Sequence, residues 1–82
     1  MNIYTILFND GFDCQIIDSY EDFKDAYARV KKEYLERGLE VYEEEAVNDK
    51  TTITTFFEDS YGEGELYYQT WTIKRNKLHL SP

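Results

Sequence analysis

The sequence predicts an α+β fold: a mainly antiparallel β-sheet with one amphipathic helix packed on one face, in the order β-β-α-β-β-β. Three observations carry this. Segments rich in β-branched and aromatic residues, bounded by turn residues, lie on both sides of a central stretch. Within that stretch, from Tyr20 to Tyr34, the apolar spacing changes to threes and fours. Finally, 82 residues form one domain around one small core, and eight Tyr, five Phe and one Trp supply its bulk, since each aromatic buries roughly 150–250 Å².

Each element follows in turn. Asn2 to Phe8 reads as a strand, and Asn9-Asp10-Gly11 is a hairpin turn signal because Asn, Asp and Gly accept positive φ. Phe12 to Ile17 returns antiparallel, with Phe12, Cys14 and Ile16 alternating with Asp13 and Gln15, which predicts Cys14 as a small core residue. Ser19 is the expected helix cap, with Asp22 three residues on. The helix presents Tyr20, Phe23, Tyr27, Val30 and Tyr34, with Ala26 beside them, as one apolar stripe, and Gly38 should end it in a left-handed conformation. Leu39 to Val47, Thr51 to Phe57 and Glu65 to about Arg75 read as three further strands, joined by a turn at Asn48-Asp49-Lys50 and a loop at Asp59 to Gly64. Asn76-Lys77 is a further turn candidate before a short strand, Leu78 to Leu80. Glu and Ala favour helix within Leu39 to Ala46, but Val41, Tyr42 and Val47 favour a strand.

Composition bounds the chemistry. One cysteine cannot form an internal disulfide, and small secreted domains usually carry paired cysteines, so a reducing cytoplasm is expected. The longest apolar run near the start, Ile3 to Phe8, is far short of the roughly 18 residues of a membrane span. Cys14 and His79 are the only thiol and imidazole, on separate strands, and one of each falls short of the usual four ligands of structural zinc. The loops at Asn9 to Asp13 and Glu58 to Glu65 hold oxygen ligands without the EF-hand spacing. Gly62-Glu63-Gly64 puts a carboxylate where a phosphate would approach. The cations around Trp71 (Lys74, Arg75 and Lys77) read as a strand end paired with acids rather than a nucleic-acid site. No enzyme, cofactor or metal is therefore expected, and no direct binding to nucleic acid or membrane.

The charge is distinctive in its placement. The formal net charge is -8, and residues 36–65 carry ten acids against Arg37 and Lys50, while the rest of the chain balances. EVYEEEAV, residues 40–47, is the densest part. A strand holding so many carboxylates cannot lie under a helix, because burying an unpaired charge is very costly, so it belongs at a sheet edge. Edge charges block aggregation, and that bland explanation accounts for one or two of them. The excess of eight over one segment instead predicts an acidic surface for a basic partner, formed by Glu40, Tyr42, Glu43, Glu44, Glu45, Glu58, Asp59, Tyr61, Glu63 and Glu65, with Tyr68 nearby.

In size, acidity and lack of catalytic apparatus the chain resembles the small inhibitors that bacteriophages deploy against restriction and CRISPR nucleases. No motif matches residue by residue, so no contact residues are carried over. The resemblance implies a phage-encoded protein acting in the bacterial host cytoplasm, where it occupies the DNA or RNA site of a basic nuclease or effector, a DNA mimic in the broad sense. The other function class is a small adaptor or assembly module that binds a protein partner through an exposed sheet edge and tyrosines. A homodimer is compatible with either.

Overall fold

The computed structural model describes residues 2–11, 13–58 and 66–77, and of residues 57, 58, 66, 67 and 77 the backbone alone. Strands β1 (Asn2–Asn9) and β2 (Cys14–Tyr20) form the first hairpin, helix α1 (Phe23–Glu36) follows, and β3 (Glu40–Val47), β4 (Lys50–Glu58) and β5 (Leu66–Lys77) are the remaining elements among the described residues. The five strands form one antiparallel sheet in the order β2-β1-β5-β4-β3, with the helix packed on one face. The closing strand β5 inserts between β1 and β4, and so joins the two hairpins.

Directly opposed residues of antiparallel strands share a face. The register therefore assigns Ile6 and Phe8 of β1, Ile73 and Trp71 of β5, and Ile53 and Thr55 of β4 to one face. All six are buried, and Ala26, Val30 and Tyr34 of α1 pack on them with Leu39. Tyr34 meets Trp71 edge-on at 6.4 Å, and Phe8 lies 4.8 Å from Trp71. The helix contacts β1, β2 and β5. On the opposite face Thr5, Leu7, Thr52, Thr54, Phe56, Thr70 and Thr72 are only partly exposed, since neighbouring side chains shelter one another there.

The helix ends as its sequence requires. Gly38 has φ 70, its N–H donates to the Leu35 carbonyl at 3.0 Å, and the Leu39 N–H donates to the Tyr34 carbonyl at 2.9 Å. This pair of bonds satisfies two terminal carbonyls and turns Leu39 into the core. Arg37 at the C-cap lays its guanidinium over Phe8, 4.7 Å from the ring centre, where it also complements the helix dipole.

Four expectations are corrected. Ser19 does not cap the helix: it belongs to β2, and the cap position is Asp22, which makes no side-chain capping bond. Cys14 is exposed rather than buried. The cause is a bulge opposite Ile6/Leu7, which makes Ile17 an extra residue and reverses the alternation of β2. Cys14 and Ile16 then lie on the uncovered face, with Ile16 66% exposed, while Ile17 and Tyr20 pack against the core. The second turn contains only Asn48, at φ 54, and Asp49, because Lys50 already pairs with Val47. Asn76 and Lys77 do not turn, since they pair with Ile3 and Asn2 and lengthen β5. Phe12, the loop from Asp59 to Gly64 and the strand expected at Leu78 to Leu80 lie outside the described residues.

Candidate functional site

The strand β3 is an edge strand, and all eight of its residues are exposed. Its pairing with β4 runs Glu40 to Phe56 and Val41 to Thr55, then resumes at Glu43 with Thr54, so Tyr42 is the extra residue of a bulge. The bulge reorders the carboxylates. Strict alternation would set Glu40 on the opposite face from Glu43 and Glu45; instead their partners Phe56, Thr54 and Thr52 all lie on the open face. Glu40, Glu43 and Glu45 therefore form one row away from the helix. Glu44 and Ala46 pair with Ile53 and Thr51 on the helix side.

Glu44 has a structural partner there. The Tyr27 hydroxyl donates to Glu44 Oε2 at 3.2 Å, and this hydrogen bond is the main reason the Tyr27 pKa is raised above its ordinary value. For Glu40, Glu43 and Glu45 no cation lies within ion-pair distance among the described residues. Arg37 lies over the core rings and beside Glu33 at 3.9 Å, and Arg75 pairs with Asp49 at the hairpin tip, while Lys50 and Lys74 share the open face at the Glu45 end of the row without forming an ion pair with it.

The bulge also places an aromatic group beside this row. Tyr42 stands 6.2 Å from Phe56 at an interplanar angle of 83° and 5.6 Å from Tyr68 at 68°. Phe56 and Tyr68 are themselves directly opposed on β4 and β5. Tyr42 is 63% exposed and Tyr68 45%, so the group faces solvent. At the far end of the hairpin a shallow concavity of about 490 Å³ is lined by Glu45, Asp49, Lys50, Thr52 and Lys74, and there both signs of charge occur together.

The expected surface is thus brought together in part. Glu40, Tyr42, Glu43 and Glu45 share the open face, Glu44 is turned to the helix, and Glu58 closes β4 opposite Leu66 with its side chain not described. Asp59, Tyr61, Glu63 and Glu65 lie outside the described residues, as does His79. Phe56 was missed by reading the sequence alone: only the strand order and the bulge put it beside Tyr42 and Tyr68. Among the described residues no group of three or more His, Cys, Asp or Glu side chains could hold a metal ion, and no helix is long and apolar enough to cross a membrane. No protein-family model matches the chain, and no match was found among curated proteins or solved structures.

Proposed function

We propose that the chain is a non-enzymatic modulator that binds a basic, nucleic-acid-handling protein and blocks its DNA or RNA site. The observation that supports this best is the row of Glu40, Glu43 and Glu45 on an edge strand, exposed on the uncovered face and, among the described residues, in no ion pair, with Lys50 and Lys74 near its Glu45 end alone. Carboxylates left unneutralised project their field outward, and a groove lined with Lys and Arg for phosphate is its natural complement. Alternate strand positions are roughly 6.6 Å apart. That row is a coarse copy of a phosphate backbone, so the match is one of field rather than of individual atoms. A phage-encoded blocker of a nuclease, working in the host cytoplasm, is the concrete form.

The test is capture of partners from bacterial lysate by the tagged protein, followed by challenge with duplex DNA, guide-like RNA or added salt. This reading expects a nucleic-acid-binding protein that is released by all three. A partner without a nucleic-acid site, retained at high salt, contradicts it. That result would favour the second reading, an adaptor that uses the free outer edge of β3 with Tyr42 and Tyr68, for which the exposure of both tyrosines speaks.

A further inference from the structure

We infer that the corner formed by Tyr42, Phe56 and Tyr68 receives an arginine side chain carried on an extended segment of the partner protein; this deepens the reading above and rests on its acidic face. Three rings from three adjacent strands meet here, with Tyr42 nearly perpendicular to the other two. Aromatic groups of this size are normally placed in a core. Tyr42 and Tyr68 are instead 63% and 45% exposed, and a β-bulge turns Tyr42 onto the group.

The charge around the corner selects the ligand. Ring faces carry negative potential and attract cations, and Glu40, opposite Phe56, and Glu43, next to Tyr42, add carboxylates on the same face. Planarity narrows the choice further. A guanidinium can stack on one wall of the corner while its edge donates to a carboxylate, whereas an ammonium is a strongly hydrated point charge. Among the described residues no strand pairs with the outer backbone of β3, so an extended segment can lie along it and present its side chains to the corner.

A second copy of this chain is a poor occupant. Its three arginines are engaged: Arg29 with Asp18 and Glu33, Arg37 over Phe8 and Trp71, and Arg75 with Asp49. Pairing two β3 edges would also set glutamate rows against each other. Anionic membranes and nucleic acids are repelled by the same charge.

The experiment uses a short fluorescent peptide alternating arginine and threonine, and a counterpart with lysine for arginine, titrated into the whole protein and read by anisotropy. The arginine peptide should bind about tenfold more tightly than the lysine one, and Tyr42→Leu and Tyr68→Ala should each weaken it about tenfold while Tyr42→Phe does not. Amide shifts on binding should centre on Tyr42, Phe56 and Tyr68. Tyr42→Leu, on the exposed edge, keeps apolar bulk and the fold, which a thermal melt verifies. Equal binding of the two peptides, or no effect of Tyr42→Leu in a folded protein, overturns the inference. If Glu40→Gln with Glu43→Gln weakens both peptides and the tyrosine variants do not, the corner falls while the acidic reading stands. The reverse pattern keeps the corner and removes the electrostatic reading.

Discussion

Two residues show how local chemistry sets stability here. Gly38 holds φ 70, and a Cβ added there would meet nothing within 4 Å, so backbone strain alone opposes substitution. Gly38→Ala should therefore cost about 1 kcal/mol in urea unfolding, and Gly38→Asn less, because Asn tolerates the left-handed region. Asp18 is held below its ordinary pKa of 3.8, first by the Ser19 N–H at 2.8 Å, then by the Tyr20 hydroxyl at 3.0 Å, with Arg29 contributing. A lowered folded value adds stability that is present above the ordinary pKa and lost as pH falls through the lowered one. Asp18→Asn should thus be less stable than the parent at neutral pH and lose less stability on acidification below about pH 4, as read from urea midpoints across pH. Gly38 was legible in the sequence because its conformation is local. Cys14 was not: its exposure follows from the bulge at Ile17, and a bulge leaves no mark in an alternating pattern.

At the scale of elements, the sheet is unevenly supported. Strands β1 and β5 lie inside it beneath the helix, whereas β3 is paired on one side only among the described residues and has every side chain exposed. Local opening needs least free energy where few apolar contacts must break. Hydrogen exchange should accordingly find the inward-bonded amides of β3 least protected among the strand amides that pair with β4 or β5, and those shared by β1 and β5 most protected. Equal protection across the sheet would mean that the β3–β4 hairpin is more firmly held than its contacts imply. The edge position of β3 was legible because burying Glu43 and Glu45 unpaired is so unfavourable. Which of its carboxylates share a face was not, because the bulge at Tyr42 shifts the alternation by one, and Phe56 joins the group only through strand order.

Over the whole molecule, charge and cover are segregated. The helix occupies one face of the sheet, the aromatic core lies beneath it, and the cations Arg29, Arg37 and Arg75 are bound to partners within the fold. The open face carries the row of carboxylates beside an aromatic corner, with Lys50 and Lys74 at the Glu45 end of the row. That division gives the decisive comparison. Let the affinity for a captured basic partner be measured for the parent, for Glu40→Lys/Glu43→Lys/Glu45→Lys, and for Glu44→Lys, whose residue faces the helix, with each variant verified to be folded. The account predicts that the triple variant loses at least about a hundredfold and much of the salt dependence, while Glu44→Lys loses far less. Equal affinity for parent and triple variant would contradict it, and would leave the glutamates of β3 as protection for a sheet edge.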